Sequence, residues 1–191
     1  MQLERWLSTI EVRGWVLDIG GSVQTLEGRV KVFNPTEYLI MDNGAEKDLH
    51  NKWIEPDIIF DICCPLGKEN YPIDECELHF DQIFMIEVSE YLINPFQALK
   101  NIYNMLNQGG EFYSSWHFLY PQHPPIGLDY LRYTPAGIEK LLTESGFKIL
   151  ENIPRRAEVV DFRKVWSAEK MRGWKDFDNS IVGNLIKAQK L

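Results

Sequence analysis

Apolar residues recur along this chain in two periods, and they sort it into alternating strands and helices. Near the start, Leu3, Trp6, Leu7 and Ile10 fall on one helical face, so residues 3–10 are expected to form a short amphipathic helix. Residues 15–19, 38–41 and 57–62 are short apolar runs closed by an acid, a glycine or a turn signal, and they read as strands. Residues 80–87 (FDQIFMIE) are apolar on both faces in the middle, as a central parallel strand should be. Asn94-Pro95 then supplies an N-cap and a first-turn proline. Phe96, Leu99, Ile102, Tyr103 and Leu106 follow at helical spacing, with Gly109-Gly110 as the expected stop. A fifth strand is expected over 111–116. Thr134-Pro135 repeats the capping device for a helix carrying Ile138, Leu141 and Leu142 and ending at Gly146, and a sixth strand starts at 147–150. The tail suggests a helix over 162–174 and a last strand near 181–188. No repeat, linker or low-complexity segment interrupts the series, so residues 1–191 are expected to form a single domain.

Strands separated by helices or long crossovers predict an α/β sheet wound on both faces. Such sheets bind ligands at the carboxyl ends of their strands, beside the point where strand order reverses. Asp18-Ile-Gly-Gly-Ser22 stands at the end of the first strand, and there Gly20 and Gly21 would let a bound molecule approach the backbone. Taken alone, the motif also fits an ordinary strand-to-loop turn.

Composition narrows the partners. The chain has 28 acids against 20 Lys and Arg, a net charge of −8, and no basic run, which argues against nucleic acid. No stretch approaches the apolar length of a membrane span. The opening Met1-Gln-Leu-Glu-Arg-Trp lacks the layout of a signal peptide, and Cys63, Cys64 and Cys76 form no CxxC pair. Reduced thiols in a cytoplasmic protein are expected, with no structural metal and no disulfide framework.

A dinucleotide site would need G-x-G-x-x-G running into a helix, whereas Gly20 is followed by Gly-Ser-Val-Gln-Thr and Asp18 would repel a pyrophosphate. A ligand with an amino group and no phosphate suits the carboxylate better. Asp42, at the end of the second strand, can accept two ribose hydroxyls, and Asp61, at the end of the third, can accept from an exocyclic amine. Acids and a glycine at four successive strand ends describe a site for S-adenosylmethionine.

The sequence resembles class I S-adenosylmethionine-dependent methyltransferases of the small type 11 group. The resemblance rests on VLDIGGS (16–22), EYLIMD (37–42), PDIIFDICCPL (56–66), FDQIFMIEVSEYLINPFQALKNIYNMLNQGGEFYSS (80–115) and DYLRYTPAGIEKLLTESGF (129–147), most of residues 14–150. It implies a seven-stranded, doubly wound, mostly parallel Rossmann-like sheet with the last strand antiparallel. It also implies that Asp18, Gly20 and Gly21 line the methionine end of S-adenosylmethionine, that Asp42 holds the ribose, that Asp61 and Ile62 hold the adenine, and that Glu87 lies beneath the sulfonium. The chain departs from the family's D-x-G-x-G-x-G at Ser22 and Gln24, and Gly28 and Pro35 cut short the helix that should follow. Relatives with E-x-x-E-H hold a divalent cation. Here Tyr91 replaces that histidine behind Glu87 and Glu90, so no metal is expected.

The stretch after the fifth strand, WHFLYPQHPPIGLDYLRY (116–133), is aromatic and rich in hydrogen-bonding groups, and it starts at the ligand edge. A hydroxyl acceptor must lose its proton during methyl transfer, which makes His117 and His123 candidate bases and Asp129 either a base or an orienting group. For His117 the alternative is a strand-end residue bonded to backbone. For Asp129 and Arg132 it is a loop-fixing pair. The expectation is methylation of a sugar, glycan or other small hydroxyl compound. A non-catalytic domain that retains the fold is the alternative, and a nucleotide-cofactor oxidoreductase comes third.

Overall fold

The computed structural model describes residues 2–45, 47, 52–67, 79–122, 127–157 and 181–191. His123, Cys76, and the expected helix over 162–174 with Trp166 and Trp174 lie outside them. All seven expected strands are present: β1 (Glu11–Ile19), β2 (Val32–Asp42), β3 (Ile58–Ile59), β4 (Phe80–Met85), β5 (Leu106–His117), β6 (Phe147–Arg156) and β7 (Ile181–Lys190). They form one sheet in the order β3-β2-β1-β4-β5-β7-β6. The pairs from β3 through β5 are parallel, and β7 is antiparallel to both β5 and β6. Strand order reverses between β1 and β4, so the carboxyl ends of these two strands open the cleft where such sheets bind ligands.

Alternation along the central strands divides the core. Leu17, Ile83, Met85 and Phe112 face α2 (Pro95–Met105) and α3 (Pro135–Glu144), whose Leu99, Ile102, Ile138 and Leu142 are fully enclosed. Val16, Phe84, Tyr113 and Leu185 face the other way, onto Trp6 and Leu7 of the short α1 (Gln2–Leu7) and onto Leu26. Both expected caps form. Asn94 Oδ1 accepts from the Gln97 amide at 3.2 Å and Thr134 Oγ1 from the Gly137 amide at 3.1 Å.

The boundaries differ in instructive ways. α2 ends at Met105 rather than at Gly109-Gly110, because Leu106 takes an extended conformation and is fully buried as the first residue of β5, opposite Phe80. β2 starts at Val32, six residues before the expected start, and runs through Pro35. The proline lies opposite Gly14, where the register shifts. The Trp15 amide, displaced from the ladder, donates to Asp81 Oδ2 at 2.9 Å. β3 shrinks to two residues, and Asp57 Oδ2 takes the Ile40 amide at 2.8 Å in place of a ladder bond. The link from β1 to β2, residues 20–31, contains no helix. No helix among the described residues is long and apolar enough to cross a membrane.

Candidate functional site

A cavity of about 460 Å³ opens over the carboxyl ends of β1 to β4. That volume is ordinary for a small-molecule site. Ile19 and Gly20 form its wall at β1, Asp42 and Asn43 at β2, Asp61 and Ile62 beyond β3, and Glu87 beyond β4. Tyr91, Leu128 and Tyr130 also border it.

Gly20 is required for two reasons. Its φ is +80°, and a Cβ there would stand 2.4 Å from Val88 Cγ2. Its amide donates to the Met41 carbonyl at 2.8 Å, so the residue offers close approach rather than a free donor. Gly21 does not line the cavity. It packs on Asp18, whose Oδ2 would lie 2.7 Å from a Cβ at that position.

Asp18 does not line the cavity either, in contrast to the expected contact with the methionine end. Leu17 and Ile19 face α2, so strand alternation sends Asp18 to the opposite face. There it accepts a hydrogen bond from the Tyr38 hydroxyl, which in turn accepts the Leu26 amide at 3.3 Å. Burial pushes the Asp18 carboxyl up to about 7, against the opposing effects of the Tyr38 bond and the Arg29 charge. Its place is beneath the glycine turn, joining β1, β2 and the link between them.

Asp42 closes an Asx turn, with Oδ1 accepting the Gly44 amide at 2.8 Å, and Asp61 does the same for the Cys63 amide at 2.9 Å. Both turns fix their carboxyls at the cavity wall. Burial pushes the Cys63 thiol up, which suits an inert thiol rather than a nucleophile.

Glu87 is the most engaged of the wall acids. It takes a left-handed conformation, with φ of +57°, where β4 stops. The Ser115 hydroxyl accepts the Glu87 amide at 2.7 Å and donates to Oε1 at 2.7 Å. Arg155 Nη1 donates to the same oxygen at 2.6 Å, and His117 Nε2 lies 3.1 Å from Oε2. Burial would raise this carboxyl, but His117, Arg155 and Ser115 together hold it down at about 2.

His117 is thus joined to the site but does not line it. It is 1% exposed, lies behind Glu87, stands 3.6 Å from Glu90 Oε1, and meets the Tyr120 ring edge-on. Glu90 is fully buried, and its carbonyl accepts the Tyr130 and Leu131 amides, which pins the segment leading to α3. Asp129 is held by both Nη atoms of Arg132, whose Nη2 also reaches the Pro121 carbonyl at 3.2 Å. That is the loop-fixing arrangement, outside the cavity wall. Among the described residues, no group of three or more His, Cys, Asp or Glu is arranged to hold a metal ion. Tyr38, Ser115, Arg155 and Arg29 escaped the sequence reading. Tyr38 and Ser115 lie inside stretches that carry the resemblance but show no partner there, and Arg29 and Arg155 lie in no motif.

No family model and no curated protein matches the sequence. Solved structures do resemble the fold. An S-adenosylmethionine-dependent methyltransferase from Mesorhizobium loti superposes with a TM-score of 0.59 at 14% identity, over 99% of this chain and 96% of that one. The N-methyltransferase NodS from Bradyrhizobium japonicum, in complex with S-adenosyl-L-homocysteine, gives 0.53 at 16%, over 99% and 84%. The [4+2]-cyclase SpnF gives 0.54 at 13%, over 99% and 80%. With a seven-stranded sheet in this order and β7 antiparallel, the chain has the class I S-adenosylmethionine-dependent methyltransferase fold.

Proposed function

We propose that the protein binds S-adenosylmethionine in this cavity and transfers its methyl group to a small hydroxyl acceptor, a sugar or glycan in the first instance. The observation that carries the reading is the row of carboxylates at successive strand ends around one cavity: Asp42, Asp61 and Glu87. In this reading Gly20 gives close approach at the methionine end, Asp42 accepts from the ribose hydroxyls, Asp61 and Ile62 bound the adenine, and Glu87 faces the positive sulfonium. A pyrophosphate would meet three carboxylates instead, which counts against a dinucleotide.

Tyr91, Leu128 and Tyr130 offer an aromatic and apolar stretch of wall for the acceptor. As the acceptor oxygen bonds to the methyl carbon, the carbon–sulfur bond breaks and the hydroxyl proton must leave. A carboxyl held at about 2 is a weak base, and the imidazole behind it already donates to it, so neither group takes the proton through their shared contact. His117 therefore acts by holding Glu87 ionised beneath the sulfonium, Asp129 shapes the loop, and His123 is the remaining histidine candidate for the base. The unpaired Cys63 and Cys64 and the net charge of −8 support a cytoplasmic protein with neither nucleic-acid nor membrane partners.

A second reading, a domain that binds S-adenosylmethionine without catalysis, is favoured by the enclosure of His117 and the capture of Asp129 by Arg132. Calorimetric titration decides the cofactor. Asp42→Ala should weaken S-adenosylhomocysteine about 10- to 100-fold, because the ribose hydroxyls lose an ionised acceptor. Unchanged affinity in the folded variant, or tighter binding of NAD than of S-adenosylhomocysteine, would overturn the cofactor assignment. Binding without methyl transfer to any of a panel of hydroxyl acceptors would select the second reading.

A further inference from the structure

The cavity wall carries three carboxylates and, among the described residues, a single cation, Arg29. It comes from the helix-free link between β1 and β2. Its side chain is only 11% exposed, so the guanidinium is largely withdrawn from water. Its Nε and Nη2 donate to Glu4 of α1 at 3.2 and 2.7 Å. No described residue takes a hydrogen bond from Nη1. Glu4 is 54% exposed and therefore well solvated, so it balances a buried guanidinium incompletely. Asp18 beneath it ionises only at about 7 and gives limited compensation at neutral pH. An enclosed arginine with one edge of its fork available on a cavity wall is suited to a planar carboxylate.

S-adenosylmethionine has one carboxylate, at its methionine end. Asp42, Asp61 and Glu87 would each repel that group. The backbone offers little in their place. The Gly20 amide is spent on Met41, and the residues that follow are Gly21, Ser22, Val23 and Gln24 rather than a glycine at every second position. Arg29 lines the same cavity as Gly20, Val23 and Gln24, and belongs with them to the link that follows β1.

We propose that Arg29 anchors the methionine carboxylate of the bound cofactor, with Glu4 of α1 orienting its guanidinium. The inference rests on the cofactor reading above and deepens it: the chain selects ligands that carry the aminocarboxylate. S-adenosylhomocysteine carries that group, and 5′-methylthioadenosine keeps the adenosine and thioether but lacks it.

Calorimetric titration of both ligands into wild type, Arg29→Met and Arg29→Lys is the test. Arg29→Met should lose about 10- to 100-fold in S-adenosylhomocysteine affinity and nothing for 5′-methylthioadenosine, with Arg29→Lys in between. The retained 5′-methylthioadenosine affinity also reports that the variant is folded. Equal losses for both ligands in both variants would make Arg29 a structural residue, and no loss for either would remove it from the site. Either result overturns the anchor while the cofactor reading stands. A wild type that binds neither ligand overturns the cofactor reading and the anchor with it.

Discussion

Asp18 and Glu87 stand at the ends of neighbouring strands, and the fold tunes them in opposite directions. Asp18 is 3% exposed and its carboxyl rises to about 7. Glu87 keeps a quarter of its side chain exposed and falls to about 2. Burial raises both, so the partners decide. Asp18 has a neutral donor, the Tyr38 hydroxyl, and an arginine whose fork is already turned to Glu4. Glu87 has Arg155, His117 and Ser115 in direct contact. A hydroxyl replaces only part of the lost hydration of a carboxylate, whereas two basic side chains more than replace it. One strand end therefore holds an acid that is half-protonated near neutrality, and the next presents a fixed negative charge to the cavity.

The largest effect expected from this contrast lies in the pH dependence of stability. Asp18 ionises at about 7 when folded and at its ordinary 3.8 otherwise, so between these the native state binds more protons than the unfolded state. Stability should therefore fall as pH rises through that window, by about 2–4 kcal/mol from this group. Asp18→Asn keeps an acceptor for Tyr38 and has no proton to lose. Urea unfolding should find the variant close to wild type at pH 4 and more stable by about 2–4 kcal/mol at pH 8. Parallel profiles for the two proteins would mean that Asp18 is ionised throughout, and the contrast with Glu87 would fail.

Glu87 should show the reverse limb. Its folded carboxyl is depressed from 4.5 to about 2, so the stability it contributes is complete above 4.5 and is lost as pH falls through 2. Arg155→Met strips one basic partner from a largely enclosed carboxylate. A loss of about 2–3 kcal/mol at pH 7 is expected, below the 3–5 kcal/mol typical of a fully buried pair because Glu87 retains some solvent. His117→Ala should cost a similar amount and lower turnover at least about 10²-fold at unchanged S-adenosylhomocysteine affinity. Normal turnover in that variant would show that methyl transfer does not depend on the hold His117 has on Glu87.

The two strand ends also differ in how far the sequence reveals them. Strand number, both capped helices and the acid-bearing ends of β1 to β4 were legible, since each is written in a local period or a short run of residues. The direction of the Asp18 side chain was open to the same logic: Leu17 and Ile19 go to one face, so Asp18 must go to the other. What hid its role was its partner, because Tyr38 is brought in only by the parallel register that places Asp18 opposite Ile40. Around Glu87 the same limit is stronger. Ser115 and His117 come from β5 and Arg155 from the edge strand β6, which reaches the site only because β7 lies between them. The extent of β2 and β6 was hidden by Pro35 and Pro154. Pro35 is accommodated by a register shift at Gly14, and Pro154 lies on an edge strand where a missing amide costs little.

The smallest expected effect isolates the neutral donor. Tyr38→Phe keeps the ring, with its edge contact to Phe33 at 5.2 Å between centroids, and removes one hydroxyl. That hydroxyl serves two groups, the Leu26 amide and Asp18. The amide alone should make the variant less stable by about 1 kcal/mol at pH 5, where Asp18 is largely protonated. The Tyr38 bond lowers the Asp18 carboxyl, so its removal raises that group further and makes the ionised form harder to keep. The deficit should therefore grow between pH 5 and pH 8, and the descending limb of the stability profile should steepen. In an Asp18→Asn background the growth should vanish, because no charge is left for the hydroxyl to stabilise. A deficit that is the same at both pH values would show that the hydroxyl serves only Leu26, and the low end of the Asp18 comparison would then rest on the Arg29 charge alone.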